Sequence, residues 1–249
     1  MRIILISLVF LLIFISVVNA EDLFSQRELL QKYQFTALEK KLESYNKGYL
    51  VGEISYRDYL WAFSTLWTKS DFKSEGLKAA IDKWVIENPD SAYANIVAGK
   101  YYLDLGYDAR GVEWASETSE EQFSEMQKYF KKAIPYTEKG LKLNSEIIEG
   151  YKTVISRMKS AKENTTKDLL NYLETAPEIV KQKTAVWIEL LYSITPRWGG
   201  SYAEMEYIID NKLPKRPHQF SAGDISLLED MIYHPLSLYC ILGCIFLLD

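Results

Sequence analysis

Two arginines carry the residue types that recognition chemistry needs. Arg110 lies in Tyr107-Asp108-Ala109-Arg110-Gly111-Val112-Glu113-Trp114, and Arg197 in Pro196-Arg197-Trp198-Gly199-Gly200-Ser201-Tyr202, each in a glycine-bearing stretch beside a tryptophan. A guanidinium binds carboxylates bidentately and stacks on an aromatic face, which suits a peptide terminus, an acidic segment or a sugar acid. The candidate binding residues are therefore Arg110, Trp114, Arg197, Trp198 and Tyr202, expected on one side of the molecule as a single recognition surface. A structural alternative stands beside this: each guanidinium caps a helix C-terminus or pairs with a nearby glutamate, while its tryptophan enters the core.

Catalytic constellations are not recognisable. The two histidines, His218 and His234, belong to no His-x-x-x-His or His-Glu arrangement, so no zinc site is expected. Gly199-Gly200 lacks the Lys-Ser/Thr and the preceding strand of a phosphate-cradling loop. No catalytic residue, metal or cofactor is assigned. The acidic group Glu113, Glu117, Glu120, Glu121 and Glu125 contains carboxylates that in pairs serve as acid and base on a glycan. Clustered near a helix start, they equally complement the helix dipole. Asn164-Thr165-Thr166 fits a glycosylation acceptor or, without such a host, a helix cap.

Composition narrows the function classes. With 48% hydrophobic and 14% aromatic residues in 249, the chain can bury a sizeable core. A net charge of -5 and no basic stripe argue against a nucleic-acid partner. Met1 to Ala20 combines Arg2, an apolar run and Val18-Asn19-Ala20, the layout of an export signal cleaved after Ala20; an uncleaved anchor is the alternative. The protein is thus expected to be exported, periplasmic or secreted. Cys240 and Cys244, four apart in an apolar tail, read as small buried residues rather than a disulfide.

The elements that must position these residues are helical. Apolar spacing predicts one long helix from Leu23 to Tyr49, closed by Gly48 and Gly52. Further helices are expected to start at Ser55 and Ser74, at Asp90 or Ser91, at Thr118 or Ser119, and at Ser201, with Gly106 stopping the fourth. Ala133, Thr137, Gly140 and Ser145 fall at the offsets of a tetratricopeptide second helix, which Leu77, Ile81, Trp84 and Pro89 repeat and Thr165, Leu169, Tyr172 and Pro177 follow loosely. Gly99 and Tyr102 occupy first-helix positions. The expected fold is all-α, antiparallel helix pairs stacked as a TPR-like array, or else a non-repeating helical bundle. Its divisions are a signal segment over 1–20, a helical domain over 21–211, a proline-rich basic linker over 212–223 and an apolar tail over 224–249.

The strings Asn88-Pro89-Asp90-Ser91 with Tyr93-Ala94, Ala109-Arg110-Gly111, Thr118 with Met126, and Pro196-Arg197-Trp198-Gly199-Gly200-Ser201-Tyr202 with Met205 resemble a bacterial family, domain of unknown function 4034. The resemblance covers about residues 35–210, its most specific part being the Arg-Trp-Gly-Gly-Ser-Tyr string. It implies an exported or membrane-associated helical-repeat protein and supplies no activity, substrate or cofactor. It also implies further repeats beyond the turn, where this chain has its apolar tail instead.

Residues 231–249 leave three readings open: a buried or partner-covered helix, a membrane association, or a truncated ending. The function expected first is a non-enzymatic scaffold outside the cytoplasm that presents a surface to a protein or peptide. The alternatives are a cell-envelope enzyme or enzyme subunit acting on wall saccharide or peptide, and a membrane-associated structural protein.

Overall fold

Serine and threonine caps divide the chain much as their spacing predicts. The structure, a computed structural model, describes residues 25–113, 117–160, 165–198 and 200–212. The signal segment, almost all of the linker, the apolar tail, both cysteines, both histidines and Trp114 lie outside the described residues. The elements are α1 (Ser25–Gln31), α2 (Phe35–Val51), α3 (Tyr56–Ser64), α4 (Glu75–Glu87), α5 (Ala92–Arg110), α6 (Glu120–Leu143), α7 (Ile148–Ser160), α8 (Thr166–Glu174), α9 (Glu178–Lys181), α10 (Thr184–Ser193), a 3-10 turn (Pro196–Trp198) and α11 (Tyr202–Asn211). The fold is all-α, with no strand among the described residues.

Each expected cap is made. Ser55, Ser74, Ser91 and Ser201 accept from the backbone N–H three residues on, at 3.0 to 3.2 Å. Ser119 and Gln122 form a reciprocal capping box ahead of α6. Thr165 does the same with Asp168 ahead of α8. Such caps satisfy amides that the first turn leaves without helical partners.

Two boundaries differ from the pattern. The long first helix is cut into α1 and α2, because Tyr33 turns to φ 58, the left-handed region. The amides of Tyr33 and Gln34 then reach back to the carbonyls of Leu30 and Leu29, a C-terminal closure in which glycine is the usual residue. Gly106 does not stop α5, which runs on to Arg110 and ends at Gly111 with φ 81. A Cβ on Gly106 would meet the Phe130 ring at 2.5 Å, so its glycine serves close packing inside the helix instead.

The α5·α6 pair is the most extensive contact, and small residues set its spacing. A Cβ on Gly99 would fall 2.2 Å from Thr137 Oγ1, and one on Gly140 would fall 2.7 Å from Ile96. Ala133, Thr137 and Gly140 are buried on α6, as Leu77, Ile81 and Trp84 are on α4. Helix α7 packs against α5, α6, α8 and α10, and so lies at the centre. The core runs continuously from Leu30 and Leu38 through Tyr59, Trp84 and Ile155 to Trp187 and Met205. Burying one such side chain contributes about 1.5–3 kcal/mol.

Contacts distant in sequence close the front half over this core. Asn46 on α2 donates from Nδ2 to the Glu146 carbonyl at 3.0 Å and accepts at Oδ1 from the Ile148 amide at 3.2 Å. The Tyr49 hydroxyl accepts from the Ala185 amide at 3.2 Å, at the start of α10.

Candidate functional site

Two clusters of polar side chains lie inside this frame, and they meet at the end of α5. The first is built on the pivot turn. Pro196–Trp198 winds one 3-10 turn, and the amides of Trp198 and Gly200 both return to the Thr195 carbonyl, at 2.9 and 3.1 Å. The chain doubles back so tightly that a Cβ on Gly200 would lie 1.9 Å from the Ile194 carbonyl oxygen. That approach sets Trp198 edge-on against Tyr107 at 5.3 Å and Tyr192 at 6.4 Å.

Arg110 meets it there. Its guanidinium carbon stands 4.6 Å from the Trp198 ring centroid and 6.0 Å from that of Phe123. Nη1 donates to the carbonyls of Gly111 at 3.1 Å and Glu113 at 2.7 Å. The structure therefore brings Arg110 and Trp198 together, from loops far apart in sequence. It also buries Arg110 to 1% exposure. Binding its own loop carbonyls and stacked on a tryptophan, this arginine acts as an internal strut, the structural role weighed beside recognition. Tyr202 stands at the surface with 43% exposure, and Val112 beyond Gly111 with 78%. Trp114 and the Arg197 side chain lie outside what is described.

The second cluster was not foreseen from the sequence. On α5, Lys100 Nζ donates to Asp104 Oδ2 at 2.9 Å, and Trp67 Nε1 donates to the same oxygen at 3.2 Å. On α7, Lys152 Nζ donates to Glu149 Oε2 at 2.9 Å, and the Tyr59 hydroxyl of α3 lies 3.5 Å from that oxygen. From α10, Glu189 is hydrogen-bonded to the Ser156 hydroxyl of α7. Glu149 and Lys152 are buried, at 4% and 7% exposure.

Neighbours decide the charge of each group. Burial opposes ionisation of Glu149, but the ammonium groups of Lys152 and Lys100 outweigh it and hold this carboxyl below its ordinary value. Burial opposes protonation of Lys100 and Lys152 as well, and Asp104 and Glu149 more than offset it, so both stay above the usual lysine range. Glu189 goes the other way: burial, with the Glu149 charge beside it, pushes its carboxyl up. Glu189 retains partial exposure as a residue, yet burial is the largest cause of its shift. Tyr56, facing both glutamates from α3, is raised by burial first and by their charges second.

A faint signal for this cluster was present. Lys100 and Asp104 stand four apart, and Glu149 and Lys152 three apart, in otherwise apolar helical runs. Charges on an apolar face are buried only when paired. The acidic group singled out earlier is different: Glu120 and Glu121 occupy the first turn of α6, where backbone amide and Ser119 lower the exposed Glu121 carboxyl. No group of three or more His, Cys, Asp or Glu among the described residues is placed to hold a metal ion. None of the described helices is long and apolar enough to cross a membrane.

Residues 22–129 match the model of a family described as domain of unknown function (DUF4034). The match takes in Tyr59, Lys100, Asp104 and Arg110 and ends before Ser156, Glu189 and the pivot turn. No curated protein and no solved structure matches the chain.

Proposed function

We propose that this protein, whose residues 22–129 match the DUF4034 family model, is a non-enzymatic interaction scaffold outside the cytoplasm, its helix pairs stacked in a TPR-like array. The recognition surface is the junction of the α5–α6 loop with the pivot turn, and its partner is a protein or peptide. One observation carries this: Arg110 stacked on Trp198 at 4.6 Å holds two loops from opposite halves of the chain side by side. The exposed large apolar and aromatic residues of those two segments include Val112 and Tyr202. A rigid base under exposed apolar and aromatic side chains is what peptide capture needs.

Photo-cross-linking tests it. A benzophenone side chain placed at Val112 or Tyr202 should trap the same adduct from an envelope fraction. Ile86 on α4, 76% exposed, serves as the control and should not. Different adducts from positions 112 and 202, or the same adduct from position 86, would sink the reading.

A second reading has its own support. Glu149 and Glu189 are two neighbouring carboxyls shifted in opposite directions, the pattern of an acid and base pair. An envelope hydrolase predicts turnover of wall material that Glu189→Gln abolishes. Unchanged turnover in that variant removes Glu189 from any catalytic role.

A further inference from the structure

A group of tyrosines lies on another flank of α5, apart from both clusters. Helices α4 and α6 each pack on α5, and Tyr102 of α5 fills the seam between them with 9% exposure. Its ring stacks on Tyr136 of α6 at 5.7 Å and 15°, and it meets Tyr101 at 5.6 Å. On α6, Tyr129, Lys132 and Tyr136 follow one another at helical spacing along the flank of the buried stripe Ala133, Thr137 and Gly140. The exposed Lys132 lies over two of these rings, its Nζ 5.3 Å from the Tyr129 centroid and 5.9 Å from that of Tyr102. A surface side chain thus already reaches the ring faces from solvent. On α4, Lys78 and Asp82 pair at 2.5 Å along the opposite wall, and their charges act on the hydroxyls of Tyr101 and Tyr102. Asp90 on the α4–α5 turn and Lys139 on α6 stand 3.9 Å apart across one end.

This groove holds donors that no protein acceptor uses. Tyr101 and Tyr102 are more than nine-tenths buried, while Tyr129 and Tyr136 pack partly buried against the core. Among the described residues none of the four hydroxyls has a hydrogen-bond partner, and none is sealed from water. Spacing adds a dimension. Tyr129 and Tyr136 are seven residues apart, about 10.5 Å along the axis of α6. A polyproline II chain presents the same face every third residue, about 9.3 Å, and the run from Tyr129 to Lys139, about 15 Å, seats about five of its residues. Such a chain makes no internal hydrogen bonds, and its prolines offer carbonyls without N–H groups. It therefore brings the acceptors that tyrosine hydroxyls lack, and its rings pack on aromatic faces.

We propose that the groove between α4 and α6 is a binding site for a proline-rich peptide in the polyproline II conformation, its prolines seated between Tyr129 and the Tyr102–Tyr136 stack and its carbonyls accepting from the tyrosine hydroxyls. Lys132 swings off the rings to admit it. The site lies beyond the surface proposed at the pivot turn: Tyr102 is eight residues, about 12 Å, from Arg110 along α5. It stands whether or not that other surface captures a partner.

The test uses the full chain carrying 3-fluorotyrosine, with resonances assigned by single Tyr→Phe changes, and acetyl-nonaproline amide as the probe. The signals of Tyr102, Tyr129 and Tyr136 should shift saturably, while those of the exposed Tyr33 and Tyr207 stay in place. A glycine-serine peptide of the same length should bind at least about tenfold more weakly, since it lacks both the rings and the preformed helix. Tyr136→Leu removes the stack and should weaken nonaproline by about tenfold or more. Should that variant not fold, Tyr136→Phe and Tyr129→Phe keep the rings, lose only a donor each, and should weaken it about twofold to tenfold. Absence of saturable shifts overturns the proposal, as do equal shifts at Tyr33 and Tyr207 or unchanged affinity in all these variants. Chitohexaose shifting the three signals where nonaproline does not would assign the groove to a saccharide and equally sink it.

Discussion

Replacing Gly200 by alanine tests the geometry of the pivot turn most directly. The added carbon would stand 1.9 Å from the Ile194 carbonyl oxygen and 2.5 Å from its carbon, where ordinary contact begins near 3.4 Å. Both atoms are backbone, so no rotamer change relieves the clash and the turn itself must open. Overpacking of this kind costs about 1–3 kcal/mol, and a backbone obstacle places it at the upper end. For a chain of this size each kcal/mol lowers Tm by about 2–4 °C, so a loss of about 6–12 °C is expected. Gly76→Ala provides the matched control: Gly76 lies exposed in the first turn of α4 with nothing within 4 Å of an added Cβ. That change should stabilise by about 0.5–1 kcal/mol through helix propensity. Urea titrations read both, with m unchanged if only the folded state is affected. If Gly200→Ala remains within about 0.5 kcal/mol of the parent, the tight return onto Ile194 is wrong.

Two further outcomes follow from the charged layer. The folded state holds the Glu189 proton more tightly than the unfolded chain does, so stability should fall as pH rises above the ordinary value of 4.5 until the folded carboxyl ionises. One proton gives a slope of at most about 1.4 kcal/mol per pH unit, and Glu189→Gln should flatten that part of the profile. Glu149 is shifted the other way, so its contribution is present above 4.5 and is lost as pH falls through its lower folded value. Lys152→Met leaves Glu149 buried beside its lost partner and should cost about 3–5 kcal/mol; adding Glu149→Leu should recover most of it, and strictly additive costs would refute the pairing.

Local chemistry carried most of what could be read in advance. A serine accepting from the amide three residues on is a short-range event, so Ser55, Ser74, Ser91, Ser119 and Ser201 were legible as caps. Gly106 was misleading because a glycine that ends a helix and one that admits Phe130 look alike until the partner helix is in place. Tyr33 was equally opaque, since only the backbone shows that it takes the left-handed turn between α1 and α2. Arg110 and Trp198 were both singled out, yet whether a guanidinium faces solvent or stacks inside depends on a chain reversal far along the sequence. The layer of Lys100, Asp104, Glu149, Lys152 and Glu189 draws on three helices, and local charge spacing describes only its separate pairs.

The clasp made by Asn46 and Tyr49 bears on how the protein comes apart. In a linear stack each unit touches only its neighbours, and melting can travel from one end. Here α2 is tied to the entrance of α7 through Asn46 and to the first turn of α10 through Tyr49. Loss of the C-terminal helices would strip acceptors and donors from the N-terminal ones, so the helical fold should melt as a single cooperative unit. A fragment ending at residue 129 would lack the Glu146 carbonyl and the Ile148 and Ala185 amides that close the clasp.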